Sequence, residues 1–463
     1  MRSDGRLLDR ALLGAARVPY WLDSAARPPA SSALTGDLQA DLAVVGGGYC
    51  GLWTALLAKT EDPSREVVVV EAQTSGWAAS GRNGGFVEST LTHGNENGYR
   101  HFPAEMETLD RLGTENFEAF AADLHRFGID AEYERTGMLT VATEHYQVDE
   151  LKNAAGSAGR FLDSAELESY VRSPLFRAGL MESHGVALVN PAKLVWGLRA
   201  ACLDRGVRIF ENTRATRLRD NGQHVTIETA NASITARRVV LATNGFRSLL
   251  ARNRLRTVPV YDYALMTEPL TDQQLAEVGW TQRFGMTDSS RRFHYYRKSK
   301  DNRILWGGFD AVYHRGGRIE PRHDHRDETY RRLADHFLRT FPQLADIRFT
   351  HAWGGMIDMS SRLVAFHGTA LGGKVAYSSG FTGLGVAATR FAATVMLDLL
   401  AGRDTERTRS ALVRTGPLPI PPEPLATPAI GIMQHAIARS ERNQGREGLL
   451  LRAANVLGFS FDS

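Results

Sequence analysis

The sequence predicts an α/β fold: a parallel, helix-covered layer, a second and mainly antiparallel β-sheet, and a C-terminal helical tail. Three observations predict it. Residues 40–59, "ADLAVVGGGYCGLWTALLAK", pass from a short apolar run through a glycine turn into a small-residue helix pattern. Aromatic and β-branched segments between about Val258 and Phe309 read as a separate sheet. Six of the 17 prolines lie between Pro417 and Pro428, where they exclude helix and sheet and set off a basic, amphipathic tail.

Length and composition bound the reading. At 463 residues the chain exceeds one ordinary core, and two to three domains are expected. A net charge of +3 is left by 55 basic and 52 acidic residues, so no basic face for nucleic acid is implied. Cys50 and Cys202 form neither a disulfide framework nor a Cys-x-x-Cys pair. The first residues, "MRSDGRLLDRALLGAARVPYW", lack the apolar core of a signal peptide, and no apolar run reaches the roughly 18 residues that span a bilayer. A cytoplasmic location is the expectation.

In chain order, residues 1–38 form an arm, followed by the strand Leu42–Val45 and a second strand in "EVVVVEA", Glu66–Ala72. Helical patterns dominate from about Pro103 to Val171. A helix starts near Pro191 and stops at Gly206, and a strand follows. "HVTIETANASITARRVVLATNGF" reads as a hairpin feeding a buried strand at Val239–Ala242, and "KVAYSSGFTGLGVAATRFAATVMLDLLAG" reads as strand, glycine turn and long helix. The tail, with Arg439, Arg442, Arg446 and Arg452 among apolar residues, fits a helix pair folded back on the chain, or contact with a membrane surface or partner.

In Gly46-x-Gly48-x-x-Gly51 the first glycine permits the tight turn, the second lets a pyrophosphate approach, and the third lets helix and strand pack closely. The helix N-terminus offers free N–H groups and a partial positive charge to phosphate. Glu71 closes the next strand, 20 residues beyond Gly51, where a carboxylate accepts from a ribose and repels a 2′-phosphate. A bound dinucleotide follows from this Rossmann-type turn. The segment "EAQTSGWAASGRNGGF" then favours a flavin dinucleotide over a nicotinamide one. Its small residues, Ala78 to Gly85, form a second close-approach segment, and Ser80, Arg82 and Asn83 supply donors to phosphate or ring.

"ADLAVVGGGYCGL", "VVVVEAQTSGWAASGRNGGF", "RRVVLATNGF", "WGGMID" and the 376–402 segment together resemble the D-amino-acid-oxidase (DAO) superfamily of FAD-dependent oxidoreductases, and within it the gamma-glutamylputrescine oxidoreductase-like branch. The resemblance implies a discontinuous FAD-binding domain at 39–115, 186–250 and 350–403, a substrate domain at 116–185 and 251–349, and a proline-rich spacer and helical tail at 404–463. It implies non-covalent FAD against Gly46, Gly48, Tyr49, Cys50, Gly51, Glu71, Ala72, Ala79, Ser80, Arg82, Asn83, Gly84, Ala215, Asn244 and Gly245. The C-terminal turn, Gly380, Phe381, Thr382, Gly383, Leu384 and Gly385, passes the pyrimidine end of the flavin. Departures are informative. No His or Cys stands in "SGRNGG" or "WGGMIDMS" for a covalent link. Ala387 replaces the lysine with which sarcosine-oxidase relatives hold a carboxylate, Leu384 stands where histidine is frequent, and "MSSRLVAF" departs from Thr-x-Asp.

The activity implied is oxidation of a small primary or secondary amine by hydride transfer to flavin, with O2 as acceptor. The alternatives are a dehydrogenase serving a quinone or carrier protein, and a flavin-binding partner protein without turnover. Substrate-lining candidates are Tyr263, Tyr295, Arg297, Trp306 and Trp353, with Tyr261 beside them. Alternation in "RRFHYYRK" places Phe293, Tyr295 and Arg297 on one face, where Tyr295 and Arg297 could hold an anionic group. The competing reading is aromatic sheet packing with a solvated arginine. His294, His314 and His367 read as structural, and metal spacing is absent.

Overall fold

The computed structural model describes residues 5–156, 158–456, 458 and 459. Residues 1–4, 157, 457 and 460–463, and with them the two ends of the predicted arm and tail, lie outside the described residues.

Five strands run parallel in the first sheet, in the spatial order Val375–Ser379, Ser233–Leu241, Leu38–Val45, Val67–Val70 and Arg208–Phe210. Three antiparallel strands, Arg217–Asp220, Val225–Glu228 and Phe366–Ala370, widen it. Both faces are covered, which is why Val67–Val70 is an unbroken apolar run and not an alternation. Leu42, Val44, Val67 and Val69 pack with residues of the helices Tyr49–Glu61, Pro191–Asp204 and Gly385–Ala401. Ala43, Val45, Val68 and Val70 pack with Val225, Ile227 and Phe366. The 191–204 helix is set by Asn190, whose Oδ1 accepts from the Lys193 N–H at 3.2 Å, and by Pro191 in its first turn.

The second sheet has eight strands in the order Phe349–Ser360, Thr257–Thr267, Ile304–Gly308, His294–Lys298, Gly285–Asp288, Met138–Ala142, Ala178–Glu182 and Arg160–Leu162. It is antiparallel except between 285–288 and 138–142. Two boundaries differ from the sequence division. Strand 349–360 pairs with 257–267 along its length, so the antiparallel layer runs on to Ser360. The helix Met106–Arg126 crosses the 115/116 boundary and packs on the 385–401 helix. The stretch from Pro103 to Val171 is not uniformly helical, because "MLTVA" at 138–142 and "RFL" at 160–162 are strands, the first paired with 285–288 and the second with 178–182. Tyr261, Tyr263, Leu265, Tyr296 and Trp306 pack with Tyr330 and Phe337 of the helix Asp327–Thr340. Ala264, Met266, Leu305 and Trp353 belong to the core of the first lobe.

Described residues of both terminal segments are packed. The helix Gly5–Leu12 packs on the 327–340 helix, the buried Trp21 donates from Nε1 to the Asn83 carbonyl at 3.0 Å, and the Ser31 and Leu34 N–H groups donate to Glu211 and Thr213. At the other end residues 415–422 are free of helix and strand, and the helices Ala426–Arg442 and Leu449–Val456 pack on each other.

Candidate active site

A cavity of about 1750 Å³ lies between the two sheets, larger than the roughly 300–1,000 Å³ of a pocket for a drug-sized ligand. At one end strand 38–45 stops and Gly46, Gly48, Tyr49 and Cys50 form the wall. Gly46 has φ +116°, a conformation that excludes a side chain. A Cβ on Gly48 would stand 2.9 Å from Ser80 Oγ. A Cβ on Gly51 would strike the Gly46 carbonyl oxygen, so this glycine seats the helix on the strand and does not line the cavity. Ser80 Oγ accepts from the Tyr49 N–H at 3.0 Å, which leaves the other first-turn N–H groups and the positive helix end for a ligand. The Glu71 carboxylate, at the wall beside Ala72, accepts from Gly47 N–H at 2.7 Å, Gln73 N–H at 2.9 Å and Trp77 Nε1 at 2.8 Å. Three donors on a group with about four acceptor positions leave one for a ligand hydroxyl.

Ala79, Ser80, Arg82, Asn83 and Gly84 line the middle of the cavity. The structure spends most of the donors that the sequence offers there on the protein itself. Asn83 Nδ2 donates to the Ala79 and Ser80 carbonyls at 3.0 and 3.1 Å, and its Oδ1 accepts from Gly85 N–H at 2.8 Å, bracing its own loop. Arg82 donates from Nε to the Trp77 carbonyl at 2.8 Å, and from Nη1 to Asp324 at 2.6 Å and the Gly354 carbonyl at 3.0 Å. Arg82 thereby ties the loop to the second sheet. Ala215 and Asn244 line the cavity; Gly245 lies behind it, where a Cβ would press on Met356 and stand 3.2 Å from Asp358 Cβ. Phe381, Thr382, Gly383, Leu384 and Gly385 close the far end, while Gly380 sits behind them with its N–H donated to Asp358. The Asn244 amide nitrogen donates to both Asp358 oxygens at 2.9 Å, and burial raises the Asp358 carboxyl to about 7.

The second sheet forms the floor. Tyr295, Trp353 and Tyr263 line it; Arg297 and Trp306 do not. Arg297 shares the face of Tyr295, as alternation requires, but lies two residues further along. There its Nη1 donates to the Gly85 and Val189 carbonyls at 3.0 and 2.7 Å, and its guanidinium stacks over Trp21. It is fully buried, and burial lowers it to about 9. Its Nε and Nη2 are buried without a hydrogen-bond partner among the described residues, and the guanidinium stands outside the cavity lining. Trp306 points to the opposite face and packs between His294 and the phenylalanines of the 327–340 side. Tyr263 spends its hydroxyl on the His323 carbonyl, 2.8 Å away on that same far side. Trp353 is a true wall, with Nε1 donating to the Arg82 carbonyl at 2.9 Å. Asp262, Phe86, Ile357, Gln434 and Ile437 also line the cavity and were missed. Asp262 had a signal: a carboxylate between two tyrosines in a strand must face away from both. Among the described residues no group of three or more His, Cys, Asp or Glu is placed to hold a metal, and no helix is long and apolar enough to cross a membrane.

Residues 41–399 match the family described as FAD dependent oxidoreductase, DAO. The chain belongs to that family. It is similar to gamma-glutamylputrescine oxidoreductase of Escherichia coli, with 30% identity over 404 residues, 84% of this chain and 89% of the relative. It is 25% identical over 399 residues to the probable oxidoreductase OrdL of Haemophilus influenzae, covering 83% and 88% of the two chains. Among solved structures, glycine oxidase from Geobacillus kaustophilus superposes with a TM-score of 0.65 at 18% identity over 80% of this chain and 96% of that one, a likeness of fold. The protein is thus an FAD-dependent oxidoreductase of α/β architecture. Its residues fit the cofactor: a glycine cradle that a Cβ would fill, a buried carboxylate with one acceptor position left and a second glycine turn lie along one cavity.

Proposed function

We propose that the chain oxidises a small primary or secondary amine, with FAD held without a covalent link and O2 as electron acceptor. When bound, FAD supplies the hydride acceptor, and the protein supplies placement. Gly46, Gly48, Tyr49 and Cys50 hold the pyrophosphate at the helix end, and Glu71 takes the ribose. Ala72, Ala79, Ser80, Gly84, Ala215 and Asn244 flank the channel, and Phe381 to Gly385 meet the pyrimidine end. Gly51, Gly245 and Gly380 keep that wall in place from behind. Trp353 and Tyr295 line the cavity beside the 82–84 loop, Trp353 hydrogen-bonded to the Arg82 carbonyl, and exclude water from the reacting carbon. The imine formed hydrolyses to an aldehyde or keto compound.

The observation that carries this reading is the single cavity, which joins both glycine turns to the floor of the second sheet. A relative named for gamma-glutamylputrescine and a solved structure named glycine oxidase support an amine or amino acid as substrate. Burial pushes the Cys50 and Cys202 thiols up, which disfavours the thiolate a covalent link needs. Acid precipitation is expected to release all yellow colour into the supernatant. The test of function is an anaerobic panel of amines read at the flavin absorbance band. Bleaching by at least one supports the reading, and none bleaching with any amine refutes it. Peroxide yield compared with dye reduction then separates an oxidase from a dehydrogenase serving a quinone or carrier.

A further inference from the structure

Building on the amine-oxidation reading, we propose that Asp262 holds the substrate's ammonium group and takes its proton, with Tyr295 as its positioning residue. The place of Asp262 is fixed by the strand. Tyr261 and Tyr263 turn into the aromatic layer beneath the 327–340 helix, so the residue between them faces the cavity. Directly across the ladder is Gly355, which would carry any Cβ to 3.6 Å from Arg82 Cβ. On the other side Gly307 gives its space to the Tyr295 ring. The carboxylate therefore stands on a patch of floor cleared by glycines, facing the loop that carries Arg82, Asn83 and Gly84.

Its partners leave a place for a cation. Asp262 Oδ1 accepts from the Tyr263 N–H at 2.8 Å, and Oδ2 accepts from the Tyr295 hydroxyl at 2.7 Å. The Gly308 N–H also acts on the carboxylate, and three donors on about four acceptor positions leave one for a ligand. No cationic side chain pairs with Asp262 among the described residues. The charged groups around it are committed elsewhere: Arg82 to Asp324, and Arg326 and Arg332 to Asp310. A half-sequestered carboxylate without a counter-ion is costly unless a ligand brings one.

The chemistry follows from that vacancy of charge. An ammonium nitrogen has no lone pair, so its α-hydrogen cannot leave as hydride until the nitrogen is neutral. The proton passes from the ammonium nitrogen to a carboxylate oxygen: an N–H bond breaks, an O–H bond forms, and nothing is oxidised or reduced. The neutral amine stays in contact with the acid it has made. Desolvation raises Asp262 to about 6, opposed by the Tyr295 hydroxyl and the backbone N–H groups of Tyr263 and Gly308 and reinforced by Asp310. A base in that range is ionised at neutral pH and still takes a proton readily. Burial and the neighbouring Asp262 hold the Tyr295 phenol well above its ordinary value, so it remains a donor throughout.

The experiment uses the FAD-loaded enzyme and tert-butylammonium, a cation with no α-hydrogen to lose, titrated by the flavin difference spectrum. Asp262→Asn is expected to weaken its binding by about thirtyfold. Wild-type binding should fall as pH drops through about 6, and the Asn variant should lack that dependence. Tyr295→Phe should move the midpoint upward. Flavin content and melting temperature, unchanged in Asp262→Asn, separate this loss from misfolding. Equal binding and equal pH dependence in wild type and Asp262→Asn would overturn the assignment, as would a wild type that gives no response to the probe. Amines that bleach both proteins alike also overturn it, and leave the amine-oxidation reading standing. A flavin that no amine bleaches, in a protein that still binds the probe through Asp262, refutes that reading and retains the cation site.

Discussion

Gly51 has no room for a methyl group. A Cβ there would meet the Gly46 carbonyl oxygen and stand 3.1 Å from Val44 Cγ1. Gly51→Ala must therefore lift the 49–61 helix from strand 38–45, at an overpacking cost of about 1–3 kcal/mol. The expected protein is colourless, as the ratio of flavin to protein absorbance will report. Arg297 makes the opposite case. Arg297→Ala removes a buried donor from two carbonyls and opens a void, so the loss falls on stability, about 2–4 kcal/mol in denaturant titration, with KM unchanged. Both residues show what could be read beforehand. The spacing of the glycines states their duty, because turn and helix packing are local. Alternation put Arg297 on the face of Tyr295, but how far along the strand the cavity extends depends on Gly85 and Val189, whose approach is tertiary.

At the scale of elements, the helix Ala426–Arg442 is the least expected contributor. It reaches the cavity with Gln434 and Ile437. It is held there by Gln434, which donates to the Ala311 carbonyl, and by Glu441, which accepts from Arg292 N–H and Nε at 2.7 Å each. Ile437→Trp should crowd this corner and raise KM about tenfold with flavin content unchanged, measured by steady-state kinetics with the best amine of the panel. The proline segment before it was legible, since proline fixes backbone in any context. The destination of the helix was not: its charged face matches solvent as well as it matches Arg292. Strands 138–142 and 160–162 were hidden for a related reason, being short and completed only by partners at 285–288 and 178–182.

For the whole molecule, three stretches far apart in sequence, 38–70, 208–241 and 366–401, meet in one helix-covered layer, and each announced itself by an apolar run beside a glycine. That layer encloses a titration. His367 is buried, with Nδ1 2.6 Å from Ser378 Oγ, and burial lowers it to about 3. The unfolded chain takes up a proton near 6.5 that the folded chain refuses. The stability is complete above that pH and is lost as pH falls toward 3, by roughly 1.4 kcal/mol per unit. Denaturant midpoints between pH 7 and 4 should show this slope, and His367→Asn should flatten it. The docked N-terminal arm has a consequence in time. Trp21 holds the Asn83 carbonyl and lies under Arg297, and Ser31 and Leu34 are fastened to Glu211 and Thr213. Trp21 and Arg297 are far apart in the chain, so this clamp on the loop of Asn83 is a long-range contact that closes late in folding.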